Sequence, residues 1–312
     1  MSRPPAVMLM GPTGAGKTEL AALLVARLPL EIVSVDAAMV FRGMDIGTAK
    51  PAPDLLARAP HQLIDLIDPA ESYSAAQFVA DAETAMRQIA ARGRTPLLVG
   101  GTMLYFRALQ SGLARLPAAD AAARARIEVR AARKGWPALH AELARLDPAA
   151  AARIRPGDRQ RIQRALEVIE LTGQPISAQQ REDLRGARSG TDLRLVLAPA
   201  DRALLYERLA GRFEAMMGQG LFEEVRRLHA RGDLHADLPA MRLIGYRQLW
   251  NHLDGGASME EAVQKAVIAT RQLARRQLTW LRAEAGAEWF DPGVAATPEK
   301  VAERIAIWLR AR

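Results

Sequence analysis

The chain predicts an α/β fold in which a parallel-sheet core flanked by helices carries an inserted helical subdomain, and three observations carry that expectation. An apolar run, Val7 to Met10, leads into Gly11-Pro12-Thr13-Gly14-Ala15-Gly16-Lys17-Thr18, and a helix-like run follows from Glu19 to Leu28. Two further buried-strand patterns recur, at residues 31–36 and 96–105, each followed by a break in periodicity. From about Leu116 to Arg185 the chain turns to Ala, Arg and Glu at helical spacing without a convincing strand. The expected layout is a first part of the core over 1–115, a helical insert over 116–188 and a second part of the core over 189–312.

The strand, loop and helix around residues 11–18 satisfy G-x-x-x-x-G-K-[ST] in its required context, so the core is expected to be P-loop NTPase-like. Glycines let successive backbone N–H groups converge on one anion, Lys17 adds a point charge, and the Thr18 hydroxyl can hold a Mg²⁺ that bridges phosphates. The pattern specifies a diphosphate without specifying ATP. Asp36, at the carboxyl end of the second strand, is expected to face this loop, either as a metal ligand or as a general base, with a turn aspartate as the plain alternative.

Residues 41–51 form a long Gly-containing connection in which Thr48 and Lys50 offer donors near the site. Residues 61–68 read as another strand. Ser74 to Gly93 reads as a helix with Ser74 as cap and Gln77 at the capping-box position. The third strand closes on Gly100-Gly101-Thr102, a neutral turn where a nucleotide hydrolase would usually place an acid. Residues 192–199 return as a strand. A long helix over 204–231 is expected to break near Gly218 and Gly220, with Arg208 and Arg212 one turn apart toward a common anion. Gly245-Tyr246-Arg247 is expected in a loop. A last long helix over 259–285 has an apolar stripe at 263, 267, 270, 274, 278 and 281, and on an ideal helix Arg271, Arg275 and Arg282 share a sector of roughly 40° beside it. Trp280, Trp289 and Phe290 read first as core and only second as base-stacking platforms.

Composition narrows the function. Lys plus Arg outnumber Asp plus Glu by 43 to 35, a net charge of +8, which suits a polyanionic partner. With no cysteine, thiolate catalysis and Cys-ligated zinc are excluded. The five histidines (His61, His140, His229, His235, His252) lack metal-ligand spacing and read as structural or surface residues. The N-terminal apolar run reads as a buried strand rather than a signal peptide, and no segment is long enough to cross a bilayer. A monomeric, cytoplasmic protein with no membrane partner is expected.

Taken together, GPTGAGKT, VDAAMVFRGMDIGTAKP (35–51), VGGTMLYFRAL (99–109), DRQRIQRALEVIELTGQPIS (158–177), RFEAMMGQGL (212–221), RLIGYRQLW (242–250) and ATRQLARRQLTWLR (269–282) resemble bacterial tRNA dimethylallyltransferases over nearly the whole chain. The resemblance implies transfer of a dimethylallyl group from dimethylallyl diphosphate to N6 of the adenosine 3′-adjacent to the anticodon in tRNA, with an insert that grips the anticodon stem-loop. Carried over by position, it makes Asp36 the general base and sets Thr102 near the reacting centre. Gly11, Pro12, Thr13, Gly14, Ala15, Gly16, Lys17 and Thr18 bind diphosphate with Arg212, Thr18 together with Mg²⁺. Asp36, Ala37, Ala38, Met39 and Thr102 resemble tRNA contacts, as do Arg124 and the run Gln160, Arg161, Ile162, Gln163, Arg164. Arg242, Leu243, Ile244, Gly245, Tyr246 and Arg247 match a further block. Arg275, Arg276, Gln277, Leu278, Thr279, Trp280, Leu281 and Arg282 match the last.

The sequence departs from the family pattern at Ala37, where serine is usual, and at Phe41, where tyrosine is usual. Two readings from other classes share the loop: a P-loop kinase of a small molecule, and a non-catalytic RNA-binding P-loop protein.

Overall fold

The structure is a computed structural model that describes residues 3–114, 116–183 and 191–312, and the chain divides into two compact units. The first joins Met1–Phe106 to Gly190–Arg312; the second is Arg107–Ser189. In chain order the elements are β1 (Val7–Met10), α1 (Lys17–Arg27), β2 (Leu30–Val35), α2 (Pro53–Arg58), β3 (His61–Gln62), α3 (Ala75–Ala91), β4 (Thr95–Gly100) and α4 (Met103–Ser111). The second unit holds α5 (Ala121–Lys134), α6 (Trp136–Leu146), α7 (Pro148–Ala151), α8 (Arg159–Thr172) and α9 (Ile176–Asp183). The first unit resumes with β5 (Leu193–Leu197), α10 (Arg202–Gly218), α11 (Leu221–His229), α12 (Tyr246–Leu253), α13 (Met259–Leu281), β6 (Glu288–Phe290) and α14 (Thr297–Arg310). The boundary expected near residue 188 lies outside the described residues.

The strands of the first unit form one parallel sheet in the order β3-β2-β4-β1-β5-β6. β1 is central, paired with β4 on one side and β5 on the other, and all four of its residues are buried, as the unbroken run VMLM requires of a strand covered on both faces. One face packs Leu20, Ala21 and Leu24 of α1 with Val301 and Ile305 of α14 against the strands. A second cluster joins α10 to α13 with Val40, Phe41 and Met44, around the fully buried Tyr246. Parallel pairing points every strand the same way, so the loops after β1, β2 and β4 gather at one edge, where open α/β sheets bind ligands.

Several local expectations hold in detail. Ser74 caps α3 in a capping box with Gln77, and the expected long helix after β5 is broken between α10 and α11, where Gly220 takes φ 99°. The strand expected over 61–68 is shorter than its pattern suggested. Only His61 and Gln62 pair with β2; Leu63 and Asp65 then take positive φ, and residues 65–67 turn back to bond the carbonyls of Met39 and Val40. Gly245, Tyr246 and Arg247 are not a loop: Gly245 is the N-cap of α12, and its N–H donates to Oε1 of Gln248. Among the described residues, no helix is long and apolar enough to cross a membrane.

The second unit has its own core, built from Ile127, Leu139, Leu143, Ile162, Leu166 and Val168. Within it Glu167, fully buried, accepts from Asp120 N–H (2.8 Å), Arg124 Nε (2.9 Å) and Arg164 Nη1 (2.8 Å). Burial pushes this carboxyl up, but the bonds from Arg124, Arg164 and Asp120 outweigh it and hold it below its ordinary 4.5. A carboxylate with a lower pKa folded than unfolded stabilises fully above its unfolded value and loses that contribution as pH falls through the folded one. Glu167→Ala therefore exposes α5 and α8 amides to hydrogen exchange at neutral pH by about 2–3 kcal/mol, below the usual range for a broken buried pair because Arg124 is partly solvated. The difference from wild type shrinks as pH falls below 4.5.

Candidate active site at the carboxyl edge of the sheet

The loop between β1 and α1 is held by its sequence. Gly14 and Gly16 take φ 77° and 81°, a region that disfavours any residue with a side chain, and Gly16 leads into α1 as its N-cap. The backbone so folded lines a cleft of about 1080 Å³ with Thr13, Gly14, Ala15, Gly16, Lys17 and Thr18. Lys17 Nζ donates to the carbonyl of Pro12 at 2.7 Å. Burial pushes its pKa down to about 8, and the nearby Arg212 cation adds to the fall while Asp36 opposes it. Arg212, half-buried on α10, is likewise lowered by burial, with Glu19 and Asp36 opposing. Arg208, one turn earlier, lines the same cleft.

Asp36 follows β2, and its Oδ1 accepts from the N–H of Ala38 at 2.8 Å. Thr102 follows β4; its Oγ1 accepts from Ala37 N–H at 3.0 Å, and its own N–H donates to Val35 O at 3.2 Å. Position 37 is thus used through its backbone, and a missing hydroxyl there leaves the bond to Thr102 intact. Tyr105 is pushed up to about 12 by burial and by the charge of Asp36.

A second cleft, of about 530 Å³, meets the first. Asp36, Thr13, Gly101, Arg212, Met216 and Gln277 line both, together with Thr48 and Ala49. The second cleft is mainly apolar, with Leu209, Phe213, Leu243, Ile244, Leu273 and Trp280, and Arg242 and Arg276 also line it. The base candidate therefore sits where the cleft lined by the 11–18 loop joins an apolar one. Thr18, Glu19, Asp36, Asp45, Asp54 and Asp65 line the phosphate cleft, but no cluster of three or more His, Cys, Asp or Glu suited to a metal occurs among the described residues. That donor set fits a Mg²⁺ carried largely by phosphate and water, the usual habit of that ion.

Several expected contacts are placed differently. Thr48 and Lys50 are not available donors. Thr48 Oγ1 donates to Met44 O at 2.6 Å, and Lys50 Nζ is shared among Phe41 O, Asp45 and Asp65, so both residues brace their own loop. Four side chains expected on the tRNA surface are core: Ile162 in the second unit, and Tyr246, Leu278 and Leu281 in the first. Gly245, next to Tyr246 in the chain, is buried as well. Arg124 and Arg164 are committed to Glu167, and Gln163 donates to Glu128, which leaves Gln160 and Arg161 as the exposed members of that block.

On α13, Arg271 is half-buried with its guanidinium 5.9 Å from the Tyr206 ring, so the exposed arginines are Arg275, Arg276 and Arg282. Thr279 is exposed, and Arg242 and Arg247 are exposed around the start of α12. Trp280 and Trp289 are 37% and 46% exposed rather than core, whereas Phe290 packs against the sheet cluster.

The sequence reading missed Glu224. Buried on α11, it accepts from the N–H groups of Asp45 (2.8 Å), Ile46 (2.9 Å) and Gly47 (3.2 Å) and from Tyr246 Oη (2.5 Å). It anchors the loop whose residues 47–49 line the second cleft. A glutamate on an amphipathic helix gives no sequence signal of burial. Met216 was missed for the same reason, being one apolar residue among many.

A P-loop opposite a carboxylate, on a parallel sheet, defines an α/β protein of the P-loop NTPase-like class with its candidate site at the strand ends. The chain belongs to the IPP transferase family, whose profile matches residues 39–284. It is 60% identical over 293 residues to the tRNA dimethylallyltransferase of Thioalkalivibrio sulfidiphilus, covering 92% of this chain and 90% of that protein. It is 56% identical over 307 residues to the tRNA dimethylallyltransferase of Bordetella petrii, covering 98% of both. The crystal structure of the full-length tRNA isopentenylpyrophosphate transferase from Bacillus halodurans superposes with a TM-score of 0.72 at 36% identity, over 98% of this chain and 97% of that one. A eukaryotic dimethylallyltransferase acting on tRNA shares the fold, with a TM-score of 0.77 at 22% identity over 97% of this chain and 78% of that one.

Lys17 supplies a test of the cradle. Burial sets its proton loss near pH 8, and a diphosphate bound beside it would raise that pKa, so binding above that pH should take up a proton. Affinity for a non-hydrolysable allylic diphosphate analogue should fall by up to about tenfold per pH unit above about pH 8, well clear of the phosphate ionisation near about 6. Calorimetry in two buffers reads the proton uptake. Lys17→Met should bind weakly with no such slope.

Proposed function

We propose that this chain transfers a dimethylallyl group from dimethylallyl diphosphate to N6 of the adenosine 3′-adjacent to the anticodon in tRNA, releasing diphosphate. The observation that carries the reading is the junction at Asp36, where a phosphate cradle and an apolar cleft share one carboxylate. The names of the relatives support it. The allylic C1–O bond breaks with its electron pair going to the diphosphate, which the loop N–H groups, Lys17, Arg208 and Arg212 stabilise as its charge develops. The N6 nitrogen forms the new bond to C1. Its proton passes to the Asp36 carboxylate, which offsets the weakness of an aromatic amine as a nucleophile.

Thr18, with the phosphate oxygens, would hold Mg²⁺, which when bound adds charge neutralisation at the leaving group. For tRNA, the first unit offers exposed Arg242, Arg247, Arg275, Arg276 and Arg282 with Trp280. The second offers Gln160 and Arg161. Extruding the adenosine from its loop costs a few kcal/mol, which backbone contacts of this kind can supply.

The deciding assay combines unmodified tRNA with dimethylallyl diphosphate in the absence of ATP. Prenylated adenosine is the expected product. ATP turnover without transfer would favour a small-molecule kinase, and tRNA binding without either would favour a non-catalytic RNA-binding protein. Asp36→Ala should slow single-turnover transfer by about 10²-fold while tRNA affinity stays close to wild type; a near-normal rate removes Asp36 from the base role. Replacing Arg275 and Arg276 together with Gln should lower the slope of log K against log salt by about 1 to 2, the share of two phosphate contacts. An unchanged slope would make that helix face merely solvated.

A further inference from the structure

Gln277 was expected to touch tRNA, yet both polar ends of its amide are engaged inside the protein. Its Oε1 accepts from the N–H of Thr13 at 2.9 Å, and its Nε2 donates to the carbonyl of Gly101 at 2.9 Å. A backbone donor on one side and a backbone acceptor on the other admit only one orientation of the amide. The contact is tight: a Cβ on Gly101 would lie 2.4 Å from Nε2, so a side chain at 101 displaces the glutamine amide from its present position. From Gly101 the chain continues to Thr102, whose Oγ1 accepts from Ala37 N–H, next to Asp36. One run of hydrogen bonds and two residues of backbone therefore links the phosphate loop to the carboxylate, and Gln277 is its middle member.

We propose that Gln277 is a positioning residue for group transfer: it holds the phosphate loop and the Thr102 turn in register, and so sets the separation between the leaving diphosphate and Asp36. This rests on the transfer reading above. Gln277 need not contact either reacting atom. Loss of the bridge leaves both binding clefts in place but lets the two halves of the site drift, and displacements near 1 Å can cost about 10²-fold in rate.

The test is kinetic, on the full chain with tRNA and dimethylallyl diphosphate. Gln277→Leu removes both bonds. Gly101→Ala keeps the glutamine but drives its amide away, and also presses on Gly11 O, 3.1 Å from the added Cβ. Each single variant should lower kcat by about 10- to 100-fold with KM for the donor and Kd for tRNA within about threefold of wild type. The double variant should be no slower than the worse single one, since both break the same bridge.

Losses that multiply, a normal kcat in Gln277→Leu, or a loss that lies in KM would overturn the inference. Should Gln277→Leu fail to fold, Gln277→Glu keeps the shape and the bond from Thr13 but sets an oxygen against Gly101 O, and the same fall in kcat is expected of it. A wild-type chain that transfers nothing would overturn the transfer reading and this inference together, whereas an active wild type with a normal Gln277→Leu overturns the inference alone.

Discussion

The site depends on positive charge kept partly out of water. Lys17 and Arg212 approach each other at the carboxyl edge of the sheet, and burial lowers the pKa of both. Asp36 and Glu19 offset part of the cost. On the proposed transfer reading, an incoming diphosphate relieves what remains, most of all as the charge of the leaving group grows. The same arrangement would hold a nucleotide's phosphates. On the transfer reading, what redirects it is the neutral Gly100-Gly101-Thr102 turn at β4 and the apolar cleft that Asp36 also lines.

The scaffold serves this arrangement by making its loops rigid. Parallel pairing of β1 with β4 and β5, and of β2 with β4, fixes the heights of the three strand ends. Side chains then tie the loops across. Gln277 joins the first to the third, Thr102 joins the third to the second, and Glu224 with Tyr246 pins the stretch after Met44. Preorganisation of this kind costs nothing at the moment of reaction, which is why polar groups are spent on backbone contacts so close to the chemistry.

The core of the fold was legible because its signals are local. VMLM before a Gly-rich loop, EIVSV before Asp36 and PLLVGG before Thr102 each declare a buried strand and its end, and Ser74 with Gln77 marks a helix start. Residues 61–68 misled because residues 65–67 bond their backbone N–H groups to the Met39 and Val40 carbonyls, and Leu66 and Ile67 pack on the cluster of Val40, Phe41 and Met44 rather than in the sheet. The phosphate loop and Asp36 were legible as candidate site residues, and the structure places both along one cleft. Its supports were less so, because burial of a polar residue is a tertiary property. Glu224 looks like any helix glutamate, Lys50 like a free cation, and Gln277 like one more polar residue beside arginines. Ile162, Tyr246, Leu278 and Leu281 show the converse, since a run that matches a family block includes the residues that hold the helix as well as those that face outward.

The measurement that tests the account most directly is a crystal structure of the protein with an anticodon stem-loop and an unreactive dimethylallyl diphosphate analogue. The diphosphate is expected within the 11–18 loop against Lys17 and Arg212, with N6 of the flipped adenosine within hydrogen-bond reach of Asp36. A diphosphate bound elsewhere, or an adenosine whose N6 faces away from Asp36, would contradict it.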